Sequence, residues 1–138
     1  MQRYVAGFMF DMAGHVGLVR KAKPEWQKGK LNGIGGKIED GEEPHRAMQR
    51  EFKEETGVDT YLSDWRHFAT LRGNDFEVCF FKAEGDLRDL RTVEEEEIVV
   101  QRVSDITVYN AIPNLTWLLP LAVAENFDRT NHFTIIES

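Results

Sequence analysis

The sequence predicts an α/β domain in which a β-sheet is covered by helices. Segments rich in apolar and β-branched residues alternate with two helical segments along the 138 residues, and this alternation implies helices packed on a sheet. The length suits one compact domain, and 41% hydrophobic residues are enough for one core. We therefore expect a single domain over residues 1–138.

Five segments are predicted to be strands because β-branched and aromatic residues dominate them and turn residues bound them. They are residues 3–10, 16–20, 65–73, 76–83 and 96–103. Gly14 marks a turn between the first two strands, and Asn74-Asp75 marks a hairpin between the third and fourth. The sequence between residues 22 and 37, AKPEWQKGKLNGIGGK, is interpreted as a Gly-rich loop.

Two segments are predicted to be helices. Pro44 suits the first turn of a helix and Gly57 its C-terminal stop, so we predict a helix over about 44–56. The segment 114–127, NLTWLLPLAVAENF, is the second predicted helix, with Asn114 as a possible N-cap and Pro120 inside it.

The composition limits the partners of the protein. A net charge of −7 argues against binding long nucleic acids or anionic membranes, which requires cationic patches. A small phosphorylated ligand stays possible if divalent cations lie between its phosphates and the carboxylates. The apolar run before Asp11 is too short for a signal peptide or a membrane span, which favours a cytoplasmic location. Cys79, the sole cysteine, is expected to be buried.

The first predicted helix concentrates negative charge on one face. Glu51, Glu54 and Glu55 fall within about 100° of arc because side chains three and four residues apart are neighbours on a helix. Such like-charge pairs cost a few tenths of a kcal/mol each, unless a cation such as Mg²⁺ or Mn²⁺ lies between them. The alternative is a solvated acidic face, since charge runs usually contact only water. Met48 and Phe52, on the adjacent flank, are expected to anchor the helix to the sheet.

The spacing of the whole segment from Gly36 to Val58 favours the metal interpretation. It reads G-x5-E-x7-R-E-F-x-E-E-x-G-V, and at every specified position it resembles the signature of the Nudix hydrolase family. The resemblance implies a Nudix-type α/β/α sandwich, with a mixed sheet between helices and a loop-helix-loop catalytic element. It also implies Mg²⁺-dependent hydrolysis of a nucleoside diphosphate linked to another group. We expect a monomer or a homodimer.

The same resemblance assigns candidate catalytic and metal-binding residues. Glu51, Glu54, Glu55 and the Gly36 carbonyl would hold the metal, and Arg50 would orient the glutamates. Glu42 would support the loop. A further carboxylate is expected from the acidic run 94–97, with Glu97 as the candidate and a solvated acidic loop as the alternative.

The loop before this segment resembles that of the oxidised-purine nucleoside triphosphatases of the family. Asn32, in an Asn-Gly-x-Gly-Gly-Lys setting, would read the purine edge, since its amide can both donate and accept hydrogen bonds. The alternative is a turn residue beside Gly33. Lys37 and Arg20 would contact phosphates, with solvent-exposed roles as the alternative.

The start of the second helix departs from those relatives. They carry acidic residues after a proline to grip an oxidised guanine, whereas this chain has Pro113-Asn114-Leu115. Asn114 would still be able to hydrogen-bond a base. Trp117, and less directly Trp26, are candidates for stacking on a base, with a core position as the alternative for Trp117.

Other substrates and functions are less well supported. ADP-ribose hydrolases of the family carry a proline beyond the signature, but none lies between Pro44 and Pro113, and the pattern of the NADH-directed members is absent. The prediction is hydrolysis of a purine (d)NTP or an oxidised purine dNTP to the monophosphate and pyrophosphate. The alternatives are a dinucleotide or nucleotide-sugar substrate, or a non-catalytic nucleotide-binding regulator on the same fold.

Overall fold

A computed structural model describes residues 1–124 and 132–137 of the chain. Within these residues, eight strands form one sheet and two α-helices accompany it. The strands are β1 (Gln2–Phe10), β2 (His15–Arg20), β3 (Leu31–Asn32), β4 (Ile34–Lys37), β5 (Arg66–Arg72), β6 (Phe76–Glu84), β7 (Glu97–Arg102) and β8 (Phe133–Ile136). The helices are α1 (Pro44–Thr56) and α2 (Leu115–Val123).

The sheet is mixed and is built around β1. β1 runs parallel to β6 over its whole length, and its other edge pairs antiparallel with β2 and with β4. β2 in turn pairs with β3 and β7, while β5 lies between β6 and β8.

Alternating side chains of the strands face two separate apolar layers. On β1, Val5 and Met9 belong to the layer beneath α1, whereas Phe8 and Phe10 belong to the layer beneath α2. Successive side chains of a strand point to opposite faces, so the two helices cover opposite faces of the sheet. The predicted α/β/α sandwich is confirmed.

Helix α1 begins and ends where the sequence predicts. Pro44 occupies the first turn, and Gly57 adopts a left-handed φ of 79° while its N–H donates to the Lys53 carbonyl at 2.8 Å. Met48 and Phe52 are fully buried in the layer between α1 and the sheet, as expected from their spacing. The packed flank therefore fixes which face of α1 carries the acids.

The prediction of a loop over 22–37 is wrong in its second half, which contains β3 and β4. Gly35 pairs with Ala6, and a Cβ at Gly35 would lie 1.9 Å from the Val5 carbonyl oxygen. The strand requires glycine there because two backbones approach closely. Glycines that normally indicate a loop therefore occur inside this strand.

The C-terminal region also differs from its prediction. α2 ends at Val123, and residues 125–127 of the predicted helix lie outside the described residues. Asn114 directly precedes α2 but makes no capping hydrogen bond, and its backbone is already helical. Strand β8 was not predicted. No helix of the described chain is long and apolar enough to cross a membrane. Cys79 is buried, as expected.

Candidate active site

Arg50 contacts two of the three acids on the acidic face of α1. Its Nη1 donates to Oε1 of Glu51 at 2.8 Å and to Oε2 of Glu54 at 3.2 Å. The Glu51 side chain is 13% exposed and that of Glu54 is 49% exposed, so one carboxylate lies inside the site and the other at its rim. One guanidinium thus compensates two converging charges.

Glu42 and the end of β4 fix the position of Arg50. Both Glu42 oxygens accept hydrogen bonds from the guanidinium, at 2.8 and 2.9 Å, and the Lys37 carbonyl accepts another at 3.0 Å. A bidentate pair of this kind is planar and directional. These bonds hold the pKa of the Glu42 carboxyl below its usual range.

Gly36 leaves the space in which the Glu51 carboxylate lies. A Cβ at Gly36 would be 2.6 Å from Cδ and from both oxygens of Glu51. The bare backbone of β4 and the acidic face of α1 are therefore in direct contact. No residue with a side chain fits at position 36 without displacing this carboxylate.

Glu55 is the acid whose charge is least compensated. Burial, and then the charges of Glu51, Glu96 and Glu94, raise the pKa of its carboxyl to about 7. Its Oε2 is buried and has no hydrogen-bond partner in the described structure, an arrangement that costs free energy unless something polar or cationic binds there. Burial also raises the pKa of Glu51, against the opposing effect of Arg50.

The predicted further carboxylate, Glu97, lies elsewhere. It pairs in register with Arg20 across β2 and β7, with Oε1 3.2 Å from Nε, and its side chain is 63% exposed. Ile98 packs beneath α1 and Val99 beneath α2, so alternation places Glu96 on the α1 face and Glu97 on the α2 face. Glu97 is the candidate chosen from the acidic run in the sequence, although the apolar alternation of Ile98 and Val99 after it indicates that Glu97 faces α2.

The oxygen donors fit a hard divalent cation but are not assembled around one. Glu51, Glu54 and Glu55 offer carboxylate oxygens, which such ions prefer, and Glu55 keeps a buried oxygen without a partner. In the described part of the chain, no three His, Cys, Asp or Glu side chains form a ready metal cluster. Arg50 holds two of the three acids instead, so binding a cation requires them to turn.

The sequence profile of the NUDIX domain matches residues 1–117. The chain belongs to the NUDIX family. We call the acidic face of α1, together with Gly36 and Arg50, the NUDIX box, because these residues lie in the segment that resembles the family signature. No curated protein sequence matches the chain.

Solved structures with the same fold come from MutT and Nudix proteins. A NUDIX hydrolase from Nitrosomonas europaea aligns with a TM-score of 0.78 and 16% identity, over 99% of this chain and 79% of that one. A MutT protein from Bacillus halodurans gives 0.75 and 17%, over 100% and 91%. A structure from a study of MutT from Aliivibrio salmonicida and Vibrio cholerae gives 0.70 and 19%, over 88% and 95%. At these identities the likeness shows the fold.

Three polar residues predicted to bind substrate already have hydrogen-bond partners within the protein. Arg20 is bound to Glu97 and to the Gly29 carbonyl, and the exposed Lys37 reaches the box through its carbonyl group. Asn32 lies in β3, where its side chain donates to Gln27 at 3.1 Å and accepts from the Gly33 N–H at 2.7 Å.

The other residues predicted to bind the purine base differ in burial and hydrogen bonding. The Oδ1 atom of Asn114 is buried and has no hydrogen-bond partner in the described structure. Trp117 is partly buried against the apolar layer beneath α2, which favours the core interpretation. Trp26 is 68% exposed on the loop between β2 and β3. Within the described residues, Asn114 therefore keeps an acceptor without a partner and Trp26 an exposed ring, whereas the Asn32 amide is bonded and Trp117 is partly buried.

A cavity of about 1120 Å³ opens at the other end of α1. His45, Arg66 and His67 are among its lining residues, and none of the NUDIX-box acids lines it. The box acids begin six residues further along α1, a rise of about 9 Å. The cavity and the converging acids of the box are therefore separate features of the surface around α1.

Proposed function

We propose that this NUDIX protein hydrolyses a purine nucleoside triphosphate, normal or oxidised, to the monophosphate and pyrophosphate, with Mg²⁺ as cofactor and Mn²⁺ as a possible substitute. One observation carries the proposal. Three acids converge on one face of α1, and Glu55 retains a buried oxygen without a partner and a pKa raised to about 7. A divalent cation bridging these acids to phosphate oxygens supplies the missing positive charge.

Glu51, Glu54, Glu55 and the Gly36 carbonyl are the groups that would hold the cation, which would polarise a water molecule and neutralise charge on the phosphoryl oxygens. Arg50 keeps Glu51 and Glu54 aimed at one place, and Glu42 keeps Arg50 in position. The two carboxylates are thus kept close together, and they turn from Arg50 towards the cation when it binds. In the metal-free protein, the Glu55 carboxyl holds a proton up to about neutral pH.

Cationic side chains bordering the box suit the phosphate chain of the substrate. Arg20 ends β2, Lys21 follows it, and Lys37 ends β4. Arg20 and Lys21 are already held by acids, namely Glu97 and Glu96, so the cost of ordering these long side chains is reduced before a ligand arrives.

The purine would be read by Asn114, with Trp26 as the stacking surface and Asn32 as a second polar contact. Asn114 supports this assignment best because its buried amide oxygen lacks a partner, and a buried acceptor gains most from a donor on a ligand. An exocyclic amino group on a purine is such a donor.

The test is Mg²⁺-dependent hydrolysis of a substrate panel, with the products resolved by chromatography. The panel contains the normal dNTPs, 8-oxo-dGTP, 2-hydroxy-dATP, ADP-ribose, NADH and a diadenosine polyphosphate. We expect a purine monophosphate and pyrophosphate, and a rise in KM of roughly tenfold in Asn114→Ala. Turnover of only the dinucleotides or ADP-ribose would contradict the purine triphosphate assignment. No turnover with any metal would favour a binding module.

A further inference from the structure

The loop between β2 and β3 is the most cationic segment beside the NUDIX box. Residues 21–30, KAKPEWQKGK, contain four lysines and one acid, in a chain of net charge −7. The loop is closed at its base, because the Lys21 N–H donates to the Lys30 carbonyl at 2.9 Å and the Gly29 N–H donates to the Lys21 carbonyl at 2.8 Å. Its tip presents the exposed Trp26.

Glu96 bonds to the first residues of this loop with both carboxylate oxygens. Oε1 accepts a hydrogen bond from Lys21 Nζ at 3.0 Å. Oε2 accepts one from the Ala22 N–H at 2.5 Å and one from the Lys23 N–H at 3.4 Å. The Glu96 side chain is only 16% exposed. A carboxylate that binds two consecutive backbone N–H groups fixes the course of the chain there, whereas a simple surface ion pair leaves the backbone free.

Glu96 is also on the side of the sheet that carries the catalytic helix. Its charge is among those that act on Glu55, whereas Glu97 pairs with Arg20 on the opposite face. Glu96 therefore contacts the cationic loop directly, and its charge acts on the acidic face of α1.

We propose that Glu96 is a positioning residue that holds the cationic loop 21–30 beside the NUDIX box, where the loop binds the phosphate chain of the substrate. This inference rests on the proposed function. If the loop binds substrate only when held in place, apparent affinity falls in proportion to the fraction of molecules with the loop in place. Loss of Glu96 therefore raises KM and changes kcat little.

The experiment compares Glu96→Ala and Glu96→Gln with the neighbouring Glu95→Ala. Glu95 is exposed and has no hydrogen bond or ion pair within the described residues, so its variant controls for loss of one negative charge. Hydrogen exchange of the Ala22 and Lys23 amides, measured by NMR without substrate, reports on the loop alone. Steady-state kinetics then report KM, kcat and the Mg²⁺ concentration that gives half the maximal rate.

We expect exchange of both amides to quicken by roughly tenfold or more in Glu96→Ala, with KM raised roughly tenfold and kcat within about threefold. Glu96→Gln keeps one acceptor oxygen and should fall between this variant and the wild type. Glu95→Ala should match the wild type. If Glu96→Ala unfolds, the milder Glu96→Gln decides the question by the same measurements.

Unchanged amide exchange in Glu96→Ala would overturn the inference. So would a large loss of kcat or a higher Mg²⁺ requirement with KM unchanged, because Glu96 would then act at the metal. The two proposals fail separately: absence of turnover in the wild-type protein refutes the proposed function, while the amide exchange rates still decide whether Glu96 holds the loop.

Discussion

Replacing Gly36 by alanine tests whether the position of the Glu51 carboxylate governs activity. The new Cβ would lie 2.6 Å from Cδ and both oxygens of Glu51, and ordinary contacts begin at 3.4 Å, so the carboxylate must retreat by about 0.8 Å. The atoms it meets are the end of a flexible side chain, which can move without disturbing the backbone. The substitution therefore displaces a proposed catalytic group and leaves the fold in place.

The expected effect on activity is large and the expected effect on stability is small. A displacement of about 1 Å in an active site can cost about 100-fold in rate, so we expect kcat to fall by about two orders of magnitude. Alanine gains about 0.4–1 kcal/mol from the reduced entropy of the unfolded chain, where its conformation is allowed. This gain offsets part of the crowding, and the melting temperature should change by no more than about 4 °C.

The matched comparison is Gly35→Ala, one residue earlier in β4. There the new Cβ would lie 1.9 Å from the carbonyl oxygen of Val5, a backbone atom of the central strand. We expect this variant to lose about 3 kcal/mol or more of its free energy of unfolding. Steady-state hydrolysis and thermal melts of both variants are the assay. A Gly36→Ala enzyme with kcat within threefold of wild type would refute the reasoning, because Glu51 would then tolerate displacement.

Three further variants test other parts of the site. Arg50→Lys cannot bind both Glu42 oxygens and the helix acids at once, so kcat should fall about 10- to 100-fold; an unchanged rate would remove Arg50 from the account. Without metal, the pKa of Glu55 is about 7 in the folded protein, compared with an ordinary value of 4.5. The free energy of unfolding of the wild type therefore falls as the pH rises from 4.5 to about 7. In urea denaturation with EDTA at pH 8, the free energy of unfolding of Glu55→Gln should exceed that of the wild type by about 2 kcal/mol. The same pH dependence of this free energy in both proteins would contradict the prediction. Phe52→Ala should cost about 3–5 kcal/mol in the same assay, since the ring is fully buried against Trp65; a loss below 1 kcal/mol would contradict the packing.

The helix and its acids could be predicted because local signals agree with the packing. Pro44 and Gly57 mark the ends of α1, and the buried Met48 and Phe52 determine which face packs on the sheet. The acids then fall on the flank adjacent to this packed face. All of these signals lie in the helix or next to it, so they can be recognised without knowing how distant strands pair.

Other features depend on contacts that the local sequence does not reveal. The sequence of β4 resembles a loop because it contains glycines, which the close backbone of β1 requires there. The choice between Glu96 and Glu97 depends on the register of β7 against β2, since a shift of one residue exchanges the two faces. β8 is recognised only by its parallel pairing with β5, which lies far away in the sequence.

The most direct test of the account is the rate of Mg²⁺-dependent purine dNTP hydrolysis by the wild-type protein and by Glu54→Gln. The Glu54 side chain is half exposed and contacts Arg50 at 3.2 Å, so the substitution should leave the melting temperature almost unchanged. The account predicts that wild type releases monophosphate and pyrophosphate only with metal, and that Glu54→Gln, though folded, loses at least about 100-fold in kcat. Equal rates for the two proteins, or a rate independent of metal, would contradict it.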